Sequence, residues 1–376
     1  MQALLLPSST LGLPLIDMMT ANDEIPMLRY RLQLHAPLAV KTIILESNLS
    51  HSGAPKPLHV HNALTAEEIE RYHVEVINVP FSAELRGRMA GCTNSSSVRC
   101  TWLLEVAQRK YVMSMLQPTI DRTLQALGID DVLIHMSDLD ELLDVQAVNE
   151  LVQSTSNNLT DSGCVSPKLR NFVYGEHCPA TYPPWSRSVL FRAGSGWLKR
   201  HMSPALQLRK LAKGHNCAPS ARWLGWHFGY FMSTERIVHK LNSFAHSNDP
   251  FIKRITRGDA PLQNMERRIS RCLDVHGRRY GPAWAAYDGK LPSLTGWPRN
   301  PIAPLRFNMT DLARERAAVQ VELARASKHA GGKGGGANAA GMVDVARGKL
   351  SSIDAEIDAV RRREGDMVTT ASSGRA

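Results

Sequence analysis

The chain has 376 residues, with 45 lysines and arginines against 35 aspartates and glutamates, giving a formal net charge of +10. Its 43 % hydrophobic and 21 % charged content is ordinary for a globular protein with one large core or two modest ones. The basic balance favours phosphate-bearing ligands, polyanions or acidic membrane surfaces; no basic-aromatic motif accompanies it, so nucleic acid is not an expected partner.

No stretch has the apolar length of a membrane span. The N-terminal run MQALLLPSSTLGLPLIDMM lacks a basic flank and is interrupted by two prolines, so it does not read as a signal peptide. None of the six cysteines forms a CxxC pair, which argues against a zinc site. An even number permits disulfides in an oxidising lumen and equally fits six reduced thiols. Sequons at Asn48, Asn94, Asn158 and Asn308 are compatible with secretory passage.

In chain order, Glu24–Leu32 reads as a short helix with Met27, Leu28 and Leu32 in the core. Val40–Leu45 follows as a buried strand. It ends in Glu46-Ser47-Asn48 and a loop stiffened by Gly53, Pro55 and Pro57, whose polar groups either touch a nucleotide or leave Lys56 in solvent. Tyr72–Val79 alternates as a second strand, and residues 84–99 read as a polar loop. Trp102–Leu127 has helical spacing, with a break or kink expected at Pro118. Arg109 on this helix either leans over a diphosphate or is solvated surface.

The run Val132-Leu133-Ile134 has the composition of a fully buried central strand and leads into Asp138-Leu139-Asp140-Glu141. Carboxylates at the end of such a strand suit Mn²⁺ or Mg²⁺, the hard cations that accompany phosphates; an acidic turn capping the next helix is the plainer alternative. Leu142–Gln153 is expected to be that helix, 154–168 a loop, and Asn171–Tyr174 and Ser188–Arg192 strands about a turn at Tyr182–Trp185. Further on, Gly225-Trp226-His227-Phe228 precedes a helix over Thr234–Ala245, capped by Ser233 or Thr234. His227 suits a metal ligand or phosphate donor as well as a hydrogen-bonded core histidine. Lys240, Ser243 and His246 fall on successive turns of one edge. Asp249, Asp259 and Glu266 are downstream carboxylates that could act as a base. From Thr310 an Ala/Arg/Glu-rich helical stretch, a Gly-rich linker and a second helical stretch form a tail over 309–376, expected to be a hairpin, a partner helix or largely disordered.

Three ordered segments, ESNLSHSGAPKPLH (Glu46–His59), VLIHMSDLDE (Val132–Glu141) and GWHFGYFMSTERIVHKLNSFAH (Gly225–His246), together resemble glycosyltransferase family 17. The likeness spans about Pro14–Arg279 and implies an α/β, GT-A-like, Rossmann-related catalytic domain, whose expected bounds in this chain are 14–308. It also implies inverting transfer of N-acetylglucosamine from UDP-GlcNAc to a mannose of an N-glycan, carried by a glycoprotein or oligosaccharide. It further implies a divalent metal at the acidic motif of Asp138 and Asp140, a donor-side loop of Glu46, Ser47 and Asn48, and a later motif segment holding His227, Lys240, Ser243 and His246. Arg109, Lys240, Ser243 and His246 are the further expected donor contacts, and His227 is expected to touch metal or phosphate. Glu141, Asp259 and Glu266 are the base candidates. Members usually reside in the Golgi as type II membrane proteins. The chain departs from the family pattern at Leu142-Leu143, where Ile-Pro is usual, and at Phe228 and Phe231, where the animal enzymes carry cysteines. A related transferase with another donor or acceptor and an inactive glycan-binding scaffold are the alternatives.

Overall fold

The computed structural model describes residues 13–275 apart from 91–97, 155–158, 160–162, 176–177, 199–216, 248, 259 and 271, with isolated positions between 317 and 347. The chain divides into two compact units, and the first, Met1–Arg279 with Ala285–Ala303, holds every element named below. The few described positions between 317 and 328 are helical, in keeping with the Ala/Arg/Glu-rich stretch. The expected partner helix of the tail otherwise lies outside the described residues.

The described strands are β1 (Leu15–Thr20), β2 (Ala39–Glu46), β3 (Val74–Asn78), β4 (Leu133–Asp138), β5 (Glu141–Leu143), β6 (Cys164–Val173), β7 (Pro179–Trp185), β8 (Val189–Arg192) and β9 (Ala218–Gly229). The helices are α1 (Ile25–His35), α2 (His59–Ala63), α3 (Ala66–Arg71), α4 (Ala83–Ala90), α5 (Val98–Leu127), α6 (Val145–Gln153), α7 (Thr234–Ser243), α8 (Pro250–Thr256) and α9 (Pro261–Ser270). The strands form one mixed sheet ordered β3-β2-β1-β4-β8-β6-β9-β5, with β7 on β6. The first four strands are parallel, β8 runs antiparallel to β4 and β6, and β6 pairs parallel with β9. The architecture is the expected α/β one.

Period-two alternation explains how the parallel half is filled on both faces. Ile16, Met18, Ile134 and Met136 pack with Leu104, Val112, Leu116 and Ile120 of α5. On the other face Met19 and Ile44 meet Met27, Leu28 and Leu32 of α1. A third cluster, built on Ile237, Leu241, Ile252, Met265 and Ile269, joins α7, α8 and α9.

Several local expectations are corrected. The strand β1 was not anticipated: its Leu and Met residues carry little β preference, and Asp17 interrupts the apolar run. α5 is not broken at Pro118, whose ring is exposed, so the carbonyl it leaves without a donor can be hydrated. Residues 83–90 are the helix α4 rather than loop, and Ser82 Oγ accepts from Leu85 N–H at 3.1 Å. Glu141–Leu143 is strand β5, and the helix α6 starts only at Val145, capped by Asp144. The expected loop 154–168 gives way to β6 at Cys164, and the expected turn at Tyr182–Trp185 is part of β7.

Gly225 shows why β5 can pair with β9 at that point. A Cβ there would lie 2.0 Å from the Leu142 carbonyl oxygen, so only glycine allows the two backbones to approach so closely. Among the described residues two disulfides are formed, Cys164–Cys217 and Cys178–Cys272, so these four cysteines are not reduced thiols. Among the described residues no helix is long and apolar enough to cross a membrane.

Candidate active site

Parallel strands of an open α/β sheet present their ligand crevice at the carboxyl ends, where the strand order reverses. Here that point lies between β1 and β4, because the chain runs from β1 outward to β2 and β3 and returns to β4 on the other side. Thr20, the last residue of β1, stands in register with Asp138, the last of β4. A small cleft lies there, lined by Met18, Met19 and Thr20 of β1, Met136 and Ser137 of β4, and Arg109 and Val112 of α5.

The acidic turn is held at every residue. Asp138 Oδ1 accepts from Arg109 Nη2 at 2.8 Å, and Arg109 Nε donates to Glu105 Oε1 one helical turn earlier at 3.1 Å. Arg109 is therefore largely buried against the acidic turn and not a solvated surface residue. Asp138 N–H donates to Glu141 Oε2 at 3.2 Å, and Glu141 Oε1 accepts from the indole N–H of Trp185. Glu141 is fully buried, so its carboxylate is committed inside the fold.

Asp140 faces the other way. Its Oδ1 lies 3.7 Å from His227 Nε2 and its Oδ2 lies 3.5 Å from Lys240 Nζ. The opposite ring nitrogen, His227 Nδ1, is 2.7 Å from Asn171 Oδ1. An amide oxygen only accepts, so Nδ1 carries a proton and donates to it, and Nε2 is the nitrogen turned toward Asp140. The imidazole stacks on Trp185, with 4.0 Å between centroids and 6° between planes. One tryptophan thus fixes the His227 ring with its face and Glu141 with its N–H.

Lys240 reaches across to the loop after β1, where its Nζ is 2.8 Å from Glu24 Oε1. Burial pulls the ammonium's pKa down, but Glu24 and Asp140 outweigh that and hold it above the ordinary lysine value. The same partnership keeps the Glu24 carboxyl below its usual range against the opposing effect of burial. One turn earlier on α7, Arg236 Nη2 pairs with Asp23 Oδ2 at 3.1 Å. α7 therefore clamps the β1 loop through two cation–carboxylate pairs.

The loop after β2 is folded back on α2 and α7. Glu46 is fully buried, and its carboxylate accepts from the amides of Val60 at 2.9 Å and His61 at 3.1 Å, satisfying the exposed N–H groups that begin α2. Lys56 is not in solvent: its Nζ is buried 3.8 Å from Glu46 Oε1 with no hydrogen bond, and burial lowers its pKa. Ser47 Oγ donates to the Leu49 carbonyl at 2.6 Å, and Asn48 is exposed. Ser52 N–H donates to the Ser243 carbonyl at 3.1 Å, docking this loop on the end of α7.

Lys240, Ser243 and His246 do not converge as their helical spacing suggests, because α7 ends at Ser243. Only Lys240 meets Asp140; Ser243 Oγ bonds back to the Lys240 carbonyl at 3.1 Å, and His246 packs edge-on to Trp102 with 4.9 Å between centroids. Asp249 caps α8 by accepting from Phe251 N–H at 2.8 Å. Glu266 is exposed on α9, and Asp259 lies outside the described residues.

Beneath the turn lies a buried network absent from the expectations. Asp17 on β1 is bonded by Arg31 through Nε at 2.8 Å and Nη2 at 2.6 Å, by His35 Nδ1 at 2.8 Å, and by His135 Nδ1 at 3.1 Å. His35 Nε2 accepts from Leu143 N–H at 2.9 Å, so its proton is on Nδ1. Arg31 Nη2 has two hydrogens, and its nearest acceptors are Asp17 Oδ1 and Ser137 Oγ at 2.7 Å. His135 Nδ1, at 3.1 Å, is therefore a donor to Asp17. Asp17, His35 and His135 lie close enough to hold a cation. The Arg31 guanidinium already fills that role, and a dication beside it would meet strong repulsion. The sequence does carry a signal for this network: a lone Asp and a lone His inside apolar strands, and Arg31 and His35 four apart on α1.

The sequence model of glycosyltransferase family 17 matches residues 13–267. No curated protein and no solved structure matches the chain. The match covers more than half of the chain and takes in every strand and the whole of the turn, the clamp and the buried network. The chain belongs to glycosyltransferase family 17 and is an enzyme that transfers glycosyl groups.

Proposed function

We propose that the protein transfers N-acetylglucosamine from UDP-GlcNAc to a mannose of an N-glycan, with inversion and with Mn²⁺ or Mg²⁺. The observation that carries this reading is Asp140 at the strand-order reversal, its carboxylate oxygen 3.7 Å from His227 Nε2. Two such donors suit adjacent positions on one cation, and a Mg²⁺-type site takes one or two carboxylates and completes its shell with phosphate oxygens. Asp140 and His227 hold the ion in this reading, with Asp138 beside them. When bound, the ion offsets negative charge on the departing diphosphate.

The chain's own groups supply the rest. Arg109, at the cleft lining, and Lys240, above Asp140, are cations for the donor phosphates. Glu141 is assigned to holding the turn rather than to base catalysis, since it is fully buried with both oxygens engaged. The two disulfides support folding in an oxidising compartment, in keeping with a Golgi enzyme. The 309–376 segment is proposed to be an appendage outside the catalytic domain of 14–308.

The test is UDP-GlcNAc turnover by the full chain with Mn²⁺ or with EDTA, with and without a mannose-terminated N-glycan. Glycan-dependent transfer that EDTA and Asp140→Asn both abolish supports the reading. UDP binding without turnover on any such glycan shifts the proposal to another donor or acceptor, and no UDP binding overturns it.

A further inference from the structure

We propose that Arg31 is a positioning residue for the acidic turn, an inference that rests on the metal-dependent transferase reading above. Arg31 has no exposed surface, and all five of its N–H donors are directed at acceptors. Three of them, on Nε and Nη2, serve Asp17 and Ser137. The two on Nη1 are shared among the carbonyls of Asp138 at 2.8 Å, Glu141 at 3.0 Å and Leu139 at 3.1 Å.

Three of the four carbonyls of the Asp-Leu-Asp-Glu turn thus converge on one nitrogen. Turning them onto a single guanidinium fixes the backbone of the turn and so the directions in which Asp138 and Asp140 leave it. The opposite fork of the same guanidinium grips Asp17, which His35 and His135 hold in turn. The turn is therefore referenced to β1 and α1, the elements that also carry Asp23 and Glu24, rather than to its own strand alone. Lysine cannot replace this arrangement: one ammonium offers three donors from a point and cannot grip a carboxylate bidentately while reaching three carbonyls.

A purely structural role and a positioning role differ in what they disturb. The comparison is Arg31→Lys against Leu28→Ala, which removes a fully buried side chain from the same helix and leaves the guanidinium untouched. Mn²⁺ uptake by the full chain in the presence of UDP is read from the loss of the free-ion EPR signal, alongside Tm and the KM and kcat for UDP-GlcNAc. Positioning predicts that Arg31→Lys weakens Mn²⁺ binding at least about tenfold, the usual scale for losing a group that orients metal ligands. It predicts that Leu28→Ala, with an equal or larger drop in Tm, stays within about twofold of wild type.

Equal effects from the two variants overturn the inference. If Arg31→Lys does not fold, Ser137→Ala removes one acceptor from the guanidinium, and an unchanged Mn²⁺ affinity there overturns it likewise. A wild-type chain that takes up neither Mn²⁺ nor UDP overturns the transferase reading itself, an outcome distinct from a wild type that binds both and an Arg31→Lys variant that binds them equally well.

Discussion

Asp140 and His227 meet across the pairing of β5 with β9, carboxylate oxygen to Nε2 at 3.7 Å, while Trp185 holds the imidazole from its far face. The two residues are far apart in the chain and come from the two motifs that best distinguish it. With Nδ1–H directed at Asn171, Nε2 is the nitrogen that faces Asp140, and in the proposed reading the two residues hold the cation together. Asp140→Asn is therefore expected to abolish metal-dependent transfer. His227→Gln should raise the Mn²⁺ concentration for half-maximal rate by about 10–100-fold. Asn171→Ala, which frees the tautomer, should act in the same direction and more weakly. A metal titration of the three variants checks this, and an unchanged half-saturation in His227→Gln would remove the histidine from the site.

Lys240 joins Glu24 to Asp140, so its loss strands two carboxylates at once. Lys240→Met should lower stability by about 1–3 kcal/mol, less than a fully enclosed pair because the ammonium keeps some solvent contact. Adding Glu24→Gln should recover part of that loss without restoring donor affinity. Urea unfolding of the single and double variants, with UDP binding by calorimetry, separates the two contributions. Additive losses in stability would show that the pair is not coupled.

His135 is buried beside Asp17, and its pKa is pushed down to about 4. Burial is the main cause, Asp17 opposes it, and Arg31 reinforces it. The unfolded chain takes up this proton first as pH falls from about 6.5, so stability should drop between there and about pH 4, by up to roughly 3 kcal/mol, and then level off for this group. The Asp17 carboxyl, which burial raises but Arg31 and His35 pull well below its ordinary value, adds a further loss as pH falls from about 3.9 toward that lowered value. His135→Asn keeps an N–H for Asp17, removes the buried Nε2 that has no hydrogen bond, and should flatten the upper part of this dependence. Urea midpoints at pH 8, 6 and 4.5 measure it; a wild-type midpoint that does not move over that range contradicts the burial argument.

Cys178–Cys272 links the start of β7 to the segment following α9 and closes a separation of 94 residues, and Cys164–Cys217 closes one of 53. Replacing either pair with serine should cost about 2–5 kcal/mol. A reductant should lower the Tm of the wild type by more than that of the variant lacking both pairs. A reductant-insensitive wild type would show that the bonds do not form in the purified protein.

The sequence by itself carried the apolar strands, the amphipathic helices and the three motifs of the family, because each is written in the spacing of a continuous segment. The run before Asp138 reads as a central strand since it is buried on both faces, and Ser233 before Ile237 and Leu241 reads as a capped helix. Tertiary structure alone decided which charges meet. Asp23 and Glu24 join the site because β1 lies beside β4, and β1 is hard to read because only Ile16 and Thr20 of its six residues are β-branched and Asp17 interrupts its apolar run. Glu46 turns into a helix-capping group and Glu141 into a buried brace, since a carboxylate's role follows from the N–H groups folded against it and not from its neighbours in the chain. Arg31 and Asp138 are 107 residues apart, and only the closing of α1 over the sheet brings that guanidinium beneath the turn.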